Sequence, residues 1–245
     1  MEWFRDEEFW REFFPVLFPP ESFARASDQV RDLLALTKFS GNSVLDLCCG
    51  PGRHALPLAE YGFRVCGLDL SPYLLSSARE RGRRLGLLVE WVEGDMRTFF
   101  RTEAFDLIRN MTSSFGFFDE GQENLTVLRN VWQSLKNGGI LLIDCTSKEI
   151  VARNWQDCFY SEFSNNVRLI QRSRIGDDWS RIHNEWILIR EGVSHFFQYH
   201  HTLYSGLELK ELVMAAGFAQ VRLFGDLTGA PYGIDAARLI VVAQK

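Results

Sequence analysis

The chain has 245 residues, 46% of them apolar, which is enough to bury one sizeable core with an elaboration and too little for a second full domain. A net charge of −5 and an isoelectric point near 5.6 exclude a general electrostatic attraction to nucleic acid or anionic lipid. Five cysteines, an odd number without paired zinc spacing, exclude a disulfide framework and predict reduced thiols, no metal site and a cytoplasmic location. No signal-like N-terminal run and no stretch near ~20 apolar residues is present, so no membrane association is expected.

At the N-terminus, Trp3, Glu7, Trp10 and Phe14 recur near helical spacing, and Phe9 and Phe13 widen the aromatic face. This predicts an amphipathic helix interrupted at Pro15 and Pro19-Pro20. Its acidic side, Asp6, Glu7, Glu8 and Glu12, disfavours a membrane surface and leaves two roles, packing on the core or covering a ligand as a lid. Val44 to Leu47 then reads as a buried strand entering a small-residue turn, Cys48-Cys49-Gly50-Pro51-Gly52, and a helix that Pro57 forces to start late or kink.

Phe63 to Asp69 is a second strand with an acidic end. Ser71 caps the following helix, Pro72 takes its first position and Gly86 closes it. Arg79, Arg81, Arg83 and Arg84 near its end read as a solvated face suited to the helix dipole. Val89 to Glu93 is a third strand, ending at Asp95, and Phe105 to Asn110 a fourth. Asp119 with Gln122 is expected to cap a helix running to Leu135, before Asn137-Gly138-Gly139 and a buried strand, Ile140 to Asp144.

Thr146 to Tyr204 is too long for a plain loop. Its runs Val167 to Ile175, Trp179 to Arg190 and Val193 to Tyr204, separated by Gly176-Asp177-Asp178 and Glu191-Gly192, predict an antiparallel meander over the ligand crevice. Ser205 and Glu208 form a capping box before Leu209, Leu212, Val213 and Ala216, and Gly217 ends that helix. Strands at Gln220 to Phe224 and Leu239 to Ala243 complete the sheet. The expectation is an α/β, doubly wound, mostly parallel seven-stranded Rossmann-like sheet with an antiparallel β insertion. It forms one domain, divided into an N-terminal helical segment (1–40), a core (41–145), the insertion (146–204) and a C-terminal helix and strands (205–245).

The glycine turn, a helix start with unpaired N–H groups and Asp69 at the end of the second strand fall in the order that holds a nucleoside. With the ends of the third and fourth strands in register, Val44 to Leu142 resembles the class I S-adenosylmethionine-dependent methyltransferases, particularly those acting on small molecules. The resemblance implies S-adenosylmethionine as cofactor. It places Asp46, Cys48, Gly50, Gly52 and Arg53 at its amino-acid end, Asp69 and Leu70 at the ribose, Asp95 and Met96 at the adenine, and Asn110 near the methionine moiety. Cys48 stands where the family usually has glycine, and its Cβ predicts an extended conformation rather than a positive φ.

Methyl transfer chiefly requires alignment and exclusion of water, with a base where the acceptor arrives protonated. Candidate bases in the insertion are His183, Tyr199, His200, His201 and Tyr204, of which the neighbours His200 and His201 point to opposite faces. Ser114 and Phe115, in the stretch after Asn110, together with Tyr199 and His201 are the candidate acceptor contacts. The resulting expectation is a methyltransferase for an N, O or C atom of a small-molecule partner, with oligomeric state undetermined. An RNA methyltransferase and a non-catalytic S-adenosylmethionine-binding sensor or scaffold are the alternatives, and the acidic balance argues against nucleic acid.

Overall fold

A computed structural model describes residues 2–163, 166–176 and 178–245. A 3-10 turn at Trp3–Arg5 leads into α1 (Glu7–Leu17), α2 (Pro20–Ala24) and α3 (Ala26–Thr37). Then follow β1 (Ser43–Leu47), α4 (Ala55–Glu60), β2 (Arg64–Asp69), α5 (Pro72–Leu85), β3 (Glu90–Glu93), β4 (Phe105–Asn110), α6 (Gly121–Ser134) and β5 (Leu135–Cys145). The insertion holds α7 (Lys148–Arg153), β6 (Cys158–Phe163), β7 (Val167–Ile175), β8 (Arg181–Arg190) and β9 (Val193–Thr202). The chain closes with α8 (Gly206–Ala215), β10 (Gln220–Phe224) and β11 (Leu239–Gln244).

Seven strands form one sheet in the order β10-β11-β5-β4-β1-β2-β3, parallel except for β11, which runs against both neighbours. Chain order reverses on either side of β1, so the crevice of this open sheet lies beyond the carboxyl ends of β1 and β4. One face of the sheet buries Leu45, Leu47, Ile108 and Leu141 with Leu128 and Val131 of α6 and Leu209 and Val213 of α8. The opposite face buries Val44, Val65 and Leu107 with Val30 and Leu33 of α3 and Leu58 of α4. Coverage on both faces explains why the central strands read as continuous apolar runs.

Local signals hold where one backbone group decides them. Ser71 accepts the N–H of Leu74, Gly86 ends α5 in the left-handed region, and both halves of the Ser205–Glu208 capping box are formed. Starting α4 at Ala55 leaves Pro57 in the first turn, where its missing N–H has no helical partner to lose. The helix α1, by contrast, continues through Pro15 to Leu17. One lost hydrogen bond near its end is outweighed by burial of Phe9 and Phe13 against Leu169 and Leu188 of the insertion.

Several expectations are corrected. Cys48 has φ 61°, not an extended conformation. The turn must curl so that the Cys49 N–H reaches the Leu68 carbonyl and the Gly50 N–H reaches Asp69, and the Cys48 thiol rests 3.6 Å from the Met96 sulfur. The cap of α6 is Glu120, without a side-chain bond, because Asp119 turns instead to His200 and Arg181. β5 starts at Leu135 and runs through Asn137-Gly138-Gly139, with a register shift against β4. The insertion has four strands in the order β6-β7-β8-β9, not three. Trp179 lies in a turn, so β8 begins at Arg181, and β9 stops at Thr202. Asp177, part of the first expected turn, lies outside the described residues.

Candidate active site

A cavity of about 270 Å³ opens at the carboxyl ends of β1, β2 and β4. The main sheet contributes Cys48, Gly50, Asp69, Leu70, Asp95 and Met96, the insertion contributes Trp186, Tyr199 and His201, and the N-terminal segment closes it with Trp3, Phe4, Phe9 and Trp10. The crevice is thus floored by the parallel sheet and roofed by segments distant in sequence.

Asp69 ends β2 with its carboxylate at the cavity, where it accepts from the Gly50 N–H at 2.7 Å and the Ser71 N–H at 3.0 Å. Burial raises its pKa to about 6, with those N–H groups opposing the shift. Asp95 is held by Arg97 at 2.7 Å and by Arg5 of the N-terminal turn at 2.8 Å. Burial works against its charge, but the Arg97 hydrogen bonds prevail and keep it below the ordinary carboxylate range. Glu2 bonds Arg97 at 2.6 Å, so a network of acidic and basic side chains fastens the N-terminal segment over the third-strand edge.

Asp46 does not line the cavity. It lies beneath it, fully buried, and pairs with Arg109 of β4, whose Nε and Nη1 have no acceptor among the described residues. Arg109 reaches the cavity in its place, near Arg53, which bonds the Thr112 hydroxyl at 2.6 Å. Burial, then the neighbouring positive charge of Arg109, lowers the Arg53 pKa. Thr112 and Ser113 both have positive φ, and Asp144 holds this bend through its carbonyl to Ser113 and its carboxylate to Thr112, itself bonded by Arg238 at 2.6 Å.

The other sequence candidates divide between the lining and its surroundings. Gly52 is backed by Trp91, which a Cβ there would meet at 2.7 Å. Asn110 is buried and donates to the Leu47 carbonyl. Phe115 packs in the core against Tyr204, with ring centres 5.9 Å apart, and Phe117 takes the wall position instead. Ser114 lines the cavity while donating to the Met111 carbonyl. His200 points to the outer face of the insertion, 2.5 Å from Asp119 and beside His183. Tyr199 and His201 point inward. Burial, then the nearby His200, lowers the His201 pKa to about 4, and its Nδ1 is buried without a partner among the described residues.

The sequence reading missed Arg109, Trp186 and the role of Trp3, and within the stretch from Thr112 to Phe118 it chose Phe115 rather than Phe117 as the wall. A lone arginine inside an apolar central strand was the available signal for Arg109, since such a charge must be paired or must serve a ligand. Nothing local in the sequence pointed to Trp186. Its place depends on how the insertion folds back.

Comparison with known proteins agrees with this geometry. Residues 44–139 match the model of a methyltransferase domain family. The chain is 27% identical over 210 residues to the cypemycin N-terminal methyltransferase of a Streptomyces species, covering 84% of each. It is 25% identical over 221 residues to the dTDP-3-amino-3,4,6-trideoxy-alpha-D-glucopyranose N,N-dimethyltransferase of Streptomyces venezuelae, covering 85% of this chain and 89% of that one. The fold is that of an S-adenosylmethionine-dependent methyltransferase from Clostridium acetobutylicum, with a TM-score of 0.79, 16% identity and 97% of each chain covered. The glycine turn, the acidic strand ends, the sheet order and the methyltransferase-domain match over residues 44–139 together support an enzyme that transfers methyl groups from S-adenosylmethionine.

Proposed function

We propose that this enzyme methylates a nitrogen, oxygen or carbon atom of a small molecule held between the sheet edge and the insertion. The single observation that carries the reading is that one cavity joins Asp69 and Gly50 to Tyr199 and His201. When bound, S-adenosylmethionine supplies an electrophilic methyl group on a sulfonium. The residues present fit it. A buried carboxylate, Asp69, faces the cavity with only backbone donors, Gly50 brings the backbone to the wall, and Arg109 has unused donors at the floor.

In this reading Asp69 takes the ribose hydroxyls, with Leu70 beside them, and Asp95 and Met96 take the adenine. Arg53 and Arg109 supply positive charge to the carboxylate of the amino-acid end, with Asp46 and Asn110 acting from beneath by holding Arg109 and the β1 end. His201 is the base. Its neutral imidazole offers a ring nitrogen to the acceptor's proton, while Tyr199 and Phe117 align the acceptor and exclude water.

An RNA acceptor fits less well, because among the described residues the roof carries no lysine or arginine on the cavity wall to meet a phosphate backbone. The test is a labelled-methyl transfer screen over amines, phenols, carboxylates and bulk RNA. Transfer to a small molecule supports the reading, and transfer to RNA alone overturns it.

A further inference from the structure

The half of the cavity away from the sheet edge is an aromatic wall with unusual chemistry. Trp3 packs against Phe117 and Tyr199 with ring centres 4.7 and 4.8 Å apart, Trp186 meets Tyr199 edge-on at 5.2 Å, and Tyr199 lies over His201 at 6.2 Å. Every charged lining residue, Arg53, Asp69, Asp95 and Arg109, belongs to the sheet side. Among the described lining residues of the N-terminal segment and insertion, none is an Asp, Glu, Lys or Arg. Glu12 is spent on Arg190, and Asp119 on His200 at the outer face. The polar groups that this wall offers are neutral: the Tyr199 hydroxyl, the His201 imidazole and the indole N–H groups of Trp3 and Trp186, which only donate.

From this we infer that the acceptor is a planar, uncharged aromatic molecule bearing one hydroxyl or amine. The inference rests on the methyltransferase reading above and adds the substrate class. A ring satisfies the wall by stacking and edge contacts. Its one polar substituent finds neutral partners in the Tyr199 hydroxyl and the His201 imidazole, which share the cavity lining. A carboxylate, phosphate or zwitterion entering here would be buried without a counter-charge, which is far more costly than leaving it in water. A free sugar offers many hydroxyls to a wall that is mostly aromatic ring.

The experiment measures equilibrium binding of five probes, with and without S-adenosylhomocysteine: 2-naphthol, its anionic twin 3-hydroxy-2-naphthoate, glycine, glucosamine and tetramethylammonium. 2-Naphthol is expected to bind at least about ten-fold more tightly than each of the others. Trp3→Leu is expected to weaken 2-naphthol by about ten-fold, and Trp3→Phe to recover most of that loss through ring contact. Equal or tighter binding of the anion, glycine, glucosamine or the quaternary cation overturns the substrate class. Failure of wild-type protein to bind S-adenosylhomocysteine instead counts against the methyltransferase reading, and the probe comparison made without it still decides what the aromatic wall accepts.

Discussion

Asp46 on β1 and Arg109 on β4 are register partners on adjacent parallel strands, and their side chains form an ion pair under the cavity floor, 0% and 2% exposed. Desolvating both charges opposes folding, so the pair is retained at a cost unless it also serves the site. Arg109→Met strands a buried carboxylate and is expected to lower stability by about 3–5 kcal/mol, whereas adding Asp46→Leu returns much of that loss. Urea denaturation of wild type and the variants measures both steps. Equal stabilities of single and double variants would show that Asp46 finds another partner.

Asp69 is expected to set a pH limit on cofactor binding. With its pKa at about 6, the carboxylate proposed to accept from the ribose hydroxyls is lost as pH falls through that value, and affinity for S-adenosylhomocysteine is expected to fall with it. In the unliganded protein the sign on stability is opposite. The fold holds this proton more tightly than the unfolded chain, so the contribution of Asp69 grows as pH falls from about 6 towards 3.8. Asp69→Ala is expected to weaken binding by about 1.5–3 kcal/mol, and Asp69→Asn to flatten its pH dependence between those values. Calorimetry across pH decides. An unchanged wild-type curve would remove Asp69 from the ribose site.

His201 and His200 are expected to separate cleanly. His201→Ala lowers transfer by about 10²-fold or more, the scale of a lost general base, with cofactor affinity within about 0.5 kcal/mol. His200→Ala, on the outer face, leaves both near wild type. Because burial lowers His201 from 6.5 to about 4, the unfolded chain takes up this proton first on acidification. The stability tied to the neutral ring is full above 6.5 and is lost as pH falls to about 4, a dependence that His201→Phe removes. Steady-state transfer and thermal melts across pH read the two effects. Full activity of His201→Ala would leave the reaction without this base.

The N-terminal fastening is expected to control access rather than stability. Arg5 is half-exposed, so Arg5→Ala costs about 0.2–1 kcal/mol in global stability. Its contact with Asp95 joins the segment carrying Trp3 and Phe4 to the rim of the cavity, and loss of that contact is expected to speed release of S-adenosylhomocysteine. Added salt should have the same effect on wild type. Stopped-flow release and hydrogen exchange over residues 3–10 measure it. Unchanged release with unchanged exchange would mean that aromatic packing alone holds the segment.

How much of this was legible in the sequence follows from the range of each interaction. The central strands, the Ser71 and Ser205 caps, the late start of α4 and the position of Asp69 at a strand end were readable, because each depends on residues within a few positions along the chain. Near-continuous apolar runs marked strands that are buried on both faces. The exposed edge strand β6 carried no such contrast between faces and went unread. Tertiary structure decided the rest. Asp119 abandons its helix for His200 and Arg181 because β9 and β8 bring those side chains within reach. Alternation along β9 separated His200 from His201, but only the packing of the insertion over the crevice determined that His201 faces inward. The Asp46–Arg109 pair and the meeting of Trp3 with Phe117 and Tyr199 join residues far apart in the chain, and no local spacing encodes which distant side chains will share a wall.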